Sequence, residues 1–157
     1  MKRVYLILIL GFLLEGILSN FILLSTHSFN LLFSLISIVL VYPFFKDNKK
    51  YYISCLIYGF VYDIVYTNTL FFHGWLFLCI GLFVRYSYQL FFSNILNVIV
   101  IVFLSILLYR FISYGLLCFT NYYDFSLLVL LKSITSSLFF NMFYMLLIYI
   151  VFRREYY

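Results

Sequence analysis

Six apolar runs, each long enough to cross a lipid bilayer, fill almost the whole chain and are separated by short polar turns. A spanning helix needs roughly 20 residues, so six spans would use about 120 residues and leave only connecting loops. A hydrophobic share of 67%, a charged share of 10% and a mean hydropathy of +1.13 lie outside the range of ordinary soluble domains. The sequence therefore predicts an all-α, polytopic membrane protein with one six-helix transmembrane domain over residues 1–157. The predicted spans are approximately 4–24, 29–45, 52–70, 75–91, 95–117 and 127–152.

Basic residues indicate the direction in which the spans run. Lys2 and Arg3 precede the first span, three lysines follow the second, and Arg153 and Arg154 follow the last. Because cytoplasmic loops are enriched in Lys and Arg, both termini are predicted to be cytoplasmic. The first run is predicted to be a membrane helix and not a signal peptide, since it is long and contains Glu15. The formal charge of +5 fits this topology and contact with anionic membrane lipid better than it fits nucleic acid binding.

Besides Arg85, whose long side chain can reach the inner interface from the fourth span, four charged residues fall inside the predicted spans instead of in the loops. Each costs roughly 2.5–3.5 kcal/mol at the centre of a membrane helix, so burial against a partner is favoured. Counted from the predicted outer ends at about 1.5 Å per residue, all four lie in the outer half of the bilayer. We therefore predict an intramembrane network in which the acids of spans one and three face the bases of spans five and six. Its members are Glu15, Asp63, Arg110 and Lys132.

Small and hydroxyl residues flank both acids at four-residue intervals. Gly59 and Thr67 lie four residues before and after Asp63, and Gly11 and Ser19 are placed the same way around the other acid. Residues four apart share one face of a helix, and small residues let two helix backbones approach closely. We predict that these positions pack against neighbouring helices. Two interpretations stay open: the polar residues join helices to one another, or they line a cavity or a partner-binding surface.

Motifs for catalysis, metal binding or a cofactor are absent from the sequence. His27 and His73 are both predicted to lie in outer turns, and neither the nucleophile motif Gly-x-Ser-x-Gly nor a His-Glu-x-x-His motif occurs. The three cysteines have no metal-ligand spacing and are interpreted as small apolar packing residues. The sequence thus predicts a protein that is not an enzyme and has no cofactor.

The segment Tyr58–Thr67, which reads YGFVYDIVYT, resembles the Gly-x-x-x-Asp segment of the rod shape-determining protein MreD family. Weaker similarity is carried by Leu14 and Glu15 in the first span and by Pro43 at the end of the second. The length of the chain and the number of spans are also similar to those of the family. The resemblance covers the whole chain in layout and the segment around Asp63 in motif.

Membership of this family would imply a non-enzymatic scaffold subunit of the cell-elongation (rod) complex in the bacterial inner (cytoplasmic) membrane. Its implied role is to regulate cell shape and organise peptidoglycan synthesis through association with MreC. The implied indirect partners are an actin-like filament and the glycan polymerase and transpeptidase of the elongation machinery. The family's fold is similar to the substrate-binding subunits of energy-coupling vitamin transporters, so the alternative function is such a subunit. The spacing of Gly11 and Gly16, five residues apart instead of four, disfavours this alternative.

Overall fold

Helix is the only regular secondary structure in residues 2–25, 31–69, 71–90, 94–120 and 125–152, which a computed structural model describes. The all-α prediction is therefore confirmed for this part of the chain. Six α-helices follow one another there: α1 (Lys2–Ser25), α2 (Phe33–Val41), α3 (Asn48–Tyr62), α4 (Phe72–Leu90), α5 (Ile95–Phe119) and α6 (Leu127–Phe152).

Three of these helices contain a stretch long and apolar enough to cross a membrane. Such stretches expose many Leu, Ile, Val and Phe side chains along their outer faces, which a soluble domain of this size rarely does. The protein is thus indicated to be a membrane protein. The three stretches are Arg3–Asn20, Ile95–Phe119 and Leu127–Phe152.

Helix α2 is the centre of the bundle, because all nine of its residues are buried. It packs against α1, α4, α5 and α6, and a 3-10 turn over Tyr42–Phe44 continues it. At about 1.5 Å per residue the two pieces together reach about 18 Å, which is less than the roughly 30 Å of a hydrocarbon core. The helix is shorter than the predicted span 29–45, whose first two residues lie outside the described residues.

The helices pack as consecutive pairs around α2, with α1 against α2, α3 against α4, and α5 against α6. Helices α1 and α3 are joined by tyrosines: the hydroxyl of Tyr58 donates to the Leu8 carbonyl at 2.8 Å, and that of Tyr66 donates to the Phe12 carbonyl at 2.6 Å. These bonds join the N-terminal half of α1 to the second half of α3 and to the turn that continues it.

The corner between α3 and α4 is tight. Helix α3 continues as a π-helical turn over Asp63–Thr67, after which Asn68 adopts the left-handed conformation with φ of 51°. Phe71, directly before α4, has φ of 64°, which is unfavourable for a bulky side chain. A corner with two left-handed residues needs other interactions to hold it in place.

Candidate functional site

Asp63 lies at this corner and accepts hydrogen bonds from the first turn of α4. The backbone N–H of His73 donates to its carboxylate at 2.9 and 3.1 Å, and the N–H of Gly74 donates at 3.3 Å. The hydroxyls of Thr67 and Thr69 donate at 3.2 and 2.7 Å. The first N–H groups of a helix have no partner within it, so apolar surroundings require an acceptor from the protein. Asp63 therefore caps α4, with its carboxylate at the positive end of the helix dipole.

The side chain of His73 extends this cap to α5. Its Nδ1 lies 2.7 Å from Oδ1 of Asp63, and its Nε2 lies 3.1 Å from the Tyr109 hydroxyl. A neutral imidazole that donates from Nδ1 can accept the phenol hydrogen at Nε2, which satisfies all three groups. Asp63 is 1% exposed and the other two are 6% exposed, so a substrate has no access to them. The arrangement is suited to holding α3, α4 and α5 together.

Gly59 makes the approach of α4 to α3 possible. A Cβ atom at this position would lie 2.5 Å from the carbonyl oxygen of His73 and 2.7 Å from the Cα of Gly74. Both neighbours are backbone atoms of the first turn of α4, which cannot turn away as a flexible side chain can. The Gly-x-x-x-Asp segment thus brings the first turn of α4 against α3 and caps it one helical turn later.

Glu15 performs the same task for α2. One carboxylate oxygen accepts the Ser34 N–H at 2.7 Å, and the other accepts the Tyr62 hydroxyl at 2.7 Å. Helix α1 continues about 15 Å beyond Glu15 before it ends at Ser25, so α2 begins beside the middle of α1. At that depth neither lipid nor the end of α1 can accept hydrogen bonds from the first N–H groups of α2. Glu15, which is 4% exposed, supplies the acceptor.

Gly11 completes the parallel between the two acids. A Cβ atom there would collide with the Ser37 hydroxyl and lie 2.9 Å from the carbonyl oxygen of Phe33, again in the first turns of the capped helix. Gly11 and Glu15 precede Gly59 and Asp63 by 48 residues in each case. The α1–α2 and α3–α4 pairs are therefore built by one local device, a glycine followed four residues later by a capping acid.

Tyr62 connects the two caps. Its hydroxyl donates to Glu15, and its ring centroid lies 4.7 Å from that of His73. We name the connected residues Glu15, Tyr62, Asp63, His73 and Tyr109 the capping layer. The positive ends of two helix dipoles meet this layer, which gives the two buried acids a structural reason to be there.

Helix α6 contacts the same end of α2 from the other side. The side-chain oxygen of Asn141, which is fully buried, accepts the Leu32 N–H at 2.8 Å, and the Tyr144 hydroxyl lies 2.8 Å from that of Ser37. The start of α2 is thus held by polar groups from both α1 and α6.

A third corner, between α5 and α6, is closed by a phenol instead of a carboxylate. The Tyr114 hydroxyl accepts the Ser126 N–H at 2.8 Å and donates to the Ser126 carbonyl at 3.1 Å. Ser126 directly precedes α6, so in all three pairs a side chain of the first helix binds backbone at the start of the second.

Among the described residues no salt bridge joins the two predicted bases to the two acids, although Arg110 interacts electrostatically with Glu15. Arg110 is half-buried, donates from Nε to the Ser137 hydroxyl at 3.4 Å and lies 5.7 Å from the centroid of the Tyr109 ring. Lys132 has an exposed side chain on the outer face of α6. Of the remaining predicted positions, Thr67 bonds Asp63, whereas the Ser19 hydroxyl bonds the Gly16 carbonyl within its own helix at 3.1 Å.

Sequence reasoning missed His73 and the tyrosines of the capping layer. His73 was predicted to be an interfacial residue of an outer turn, but it is buried and bonded to Asp63. The repeated spacing was a usable signal, because in both pairs an acid follows a glycine by four residues. If one such acid caps the next helix, the other is expected to do the same. The other predicted turn histidine, His27, lies outside the described residues.

Metal ligands are not gathered in the described residues. No group of three or more His, Cys, Asp or Glu side chains there could hold a metal ion. Asp63 and His73 form a pair, and their other hydrogen-bonding atoms already bind threonine, backbone and tyrosine partners.

Removal of the Tyr62 hydroxyl should weaken the α1–α3 contact measurably. In Tyr62→Phe the Glu15 carboxylate loses one of two donors, and a bond to a buried charge contributes about 1.5–3 kcal/mol. The matched variant Tyr58→Phe removes a bond to a neutral carbonyl and should cost about 0.5–1.5 kcal/mol. Both values can be measured as the free energy of unfolding in mixed detergent micelles. Equal losses for the two variants would contradict a charged acceptor at Glu15.

No protein-family model, no curated protein and no solved structure matches this chain. The similarity to the MreD family therefore rests on the segment Tyr58–Thr67 and on the layout of the spans.

Proposed function

We propose that this chain is a non-enzymatic six-span scaffold of the bacterial inner membrane and a subunit of the cell-elongation complex. In this proposal both termini are cytoplasmic and the chain associates with MreC. Through MreC it would organise peptidoglycan synthesis by the glycan polymerase and transpeptidase along an actin-like filament. The bundle itself performs no chemistry and presents its outer helix faces to partners.

The observation that carries this proposal is the structural role of Gly59, which packs against α4, and of Asp63, which caps α4. The segment that resembles the MreD family packs against α4 and caps it. The carboxylate of Asp63 in this segment is buried and not accessible to a substrate. The outer faces of α1, α5 and α6 are apolar and exposed, which suits contact with lipid and with partner helices. A rigid interior with apolar outer faces is what a scaffold requires.

The alternative, a substrate-binding subunit of an energy-coupling vitamin transporter, is favoured by one observation. The guanidinium of Arg110 has a buried Nη2 with no hydrogen-bond partner among the described residues, close to the polar residues of α6. A buried, incompletely bonded guanidinium could bind a carboxylate or phosphate of a small molecule.

Depletion of the chain from a rod-shaped bacterium that encodes it should make the cells round or wide, because wall synthesis would no longer follow the cylinder. Affinity purification of the tagged chain from membranes should recover MreC and wall-synthesis enzymes. A parallel purification from cells that express the untagged chain serves as the control for nonspecific recovery.

Two results would decide against the proposal. Unchanged cell shape after depletion would contradict the role in elongation. Recovery of ATPase subunits together with a bound vitamin, lost in Arg110→Gln, would establish the transporter alternative in its place.

A further inference from the structure

An apolar groove of about 360 Å³ runs along the outside of the bundle between the N-terminal half of α1 and residues 54–61 of α3. It exists because tyrosines, and not close backbone packing, join these two helices. Its walls include Tyr5, Ile9 and Leu13 of α1, and Ser54, Ile57 and Val61 of α3.

The walls offer a ligand almost no hydrogen bonds. The Ser54 hydroxyl is already bonded to the Lys50 carbonyl at 2.8 Å, and the Tyr58 hydroxyl is bonded to the Leu8 carbonyl. An occupant must therefore be apolar along the groove. From Tyr5 to Leu13 the α1 wall extends about 12 Å, close to the thickness of one leaflet of a hydrocarbon core of roughly 30 Å.

Positive charge lies at one end of this groove. Lys50 is exposed one helical turn before Ser54, about 6 Å along the axis of α3, and Lys49 beside it is also exposed. Arg3 is exposed on α1, two residues before Tyr5. The mouth of the groove is therefore basic while its walls are apolar, a combination that complements an anionic headgroup attached to an acyl chain.

We infer that the groove binds one acyl chain of an anionic phospholipid from the cytoplasmic leaflet, with the phosphate held by Lys49 and Lys50. The site requires α1 and α3 to lie in a bilayer with their N-terminal ends at its cytoplasmic surface. It does not depend on the proposed role in cell elongation. The bound lipid would fill the gap between α1 and α3, which the tyrosine bonds alone leave open on the outside.

Photo-crosslinking of the full chain in phosphatidylcholine vesicles tests this site. One sample contains a small fraction of phosphatidylglycerol with a diazirine in its acyl chain, and a parallel sample contains the corresponding phosphatidylcholine probe. Labelled positions are mapped by mass spectrometry. Val100 and Phe103, exposed on the inner half of α5 and away from the groove, are the reference positions for ordinary surrounding lipid.

We expect the anionic probe to label Ile57 and Val61 about fivefold or more above the neutral probe, and to show no such preference at the α5 positions. Lys49→Gln with Lys50→Gln should abolish the preference while labelling by the neutral probe continues. Ile57→Trp should fill the groove and reduce its labelling by both probes. Lys132→Gln, which changes an exposed lysine of α6, should leave the preference unchanged.

Equal labelling of groove and reference positions by both probes would show surrounding lipid only and would overturn the inference. A preference that survives removal of both lysines would also overturn it. Circular dichroism of each variant, with helix content equal to that of the unmodified chain, ensures that a loss of labelling does not reflect unfolding. Because no partner protein is present, the result is independent of the elongation proposal.

Discussion

Asp63→Ala should reduce the free energy of unfolding by on the order of 3 to 5 kcal/mol, one of the two largest losses expected from a single substitution in this chain. The change removes the acceptor of the His73 and Gly74 N–H groups and the partner of the imidazole at once. The donors would remain buried where lipid and water cannot satisfy them. Unfolding in mixed detergent micelles, followed by circular dichroism, measures the loss.

Asp47 provides the matched control for this substitution. It is also an aspartate at a helix N-terminus, where it accepts the Lys49 N–H at 3.0 Å, but it is exposed. Asp47→Ala should therefore cost only about 0.5–2 kcal/mol. Asp63→Asn keeps the shape and one acceptor and should fall between the two. If Asp63→Ala and Asp47→Ala reduced the free energy of unfolding equally, the buried cap would contribute no more stability than the exposed one.

Gly59→Ala should destabilise the protein, although alanine is the better helix former. The added Cβ would lie 2.5 Å from the His73 carbonyl oxygen, so the first turn of α4 must move away from α3 and from the carboxylate of Asp63. Overpacking against backbone costs about 1–3 kcal/mol or more, which exceeds the gain of about 1 kcal/mol in helix propensity. Gly59→Leu should abolish accumulation of the folded chain in membranes.

The same substitution at Gly115 should have the opposite sign. Gly115 lies in α5, and a Cβ atom there would have nothing within 4 Å. Gly115→Ala should thus be neutral or add up to about 1 kcal/mol. Thermal unfolding of the two variants side by side compares them directly. If Gly59→Ala were as stable as Gly115→Ala, close packing at the α3–α4 corner would not be required.

The helical class and several helix positions follow from the apolar runs alone. The last run was predicted at 127–152, and α6 occupies the same residues. The run leading into α2 shows the limit of this reasoning. Hydropathy shows which residues avoid water but not where a helix begins. Helix α2 begins at Phe33 because Glu15, which lies far earlier in the chain, accepts a hydrogen bond from its first turn.

The structure buries Glu15 and Asp63, but the groups that they bind could not be predicted from depth. Matched depth suggested Arg110 and Lys132 as partners, since opposite charges in a membrane attract. Helix N-termini offer an acid another source of positive potential, and a linear sequence does not show which helix start lies beside which acid. His73 was assigned to a turn for the same reason, because its partner Asp63 is brought to it only by the π-helical end of α3.

Buried acids in membrane proteins are often read as transport or catalytic sites. In this chain the surroundings of Glu15 and Asp63 favour a structural reading, since each carboxylate accepts backbone N–H groups at the start of the next helix. Each acid also follows a glycine that admits that helix. The repeated device explains how the positions of α2 and α4 are fixed, one a short helix and the other the helix after a tight corner.

Hydrogen–deuterium exchange at the first turn of α4 tests the capping role of Asp63 most directly. In Asp63→Asn the amides of His73 and Gly74 should exchange about tenfold faster or more, which corresponds to about 1.4 kcal/mol of lost protection, while the middle of α4 stays protected. In Asp47→Asn any increase should be confined to the start of α3. Unchanged exchange at His73 and Gly74 in Asp63→Asn, or a uniform increase along the whole chain, would contradict the assignment of Asp63 as the cap of α4.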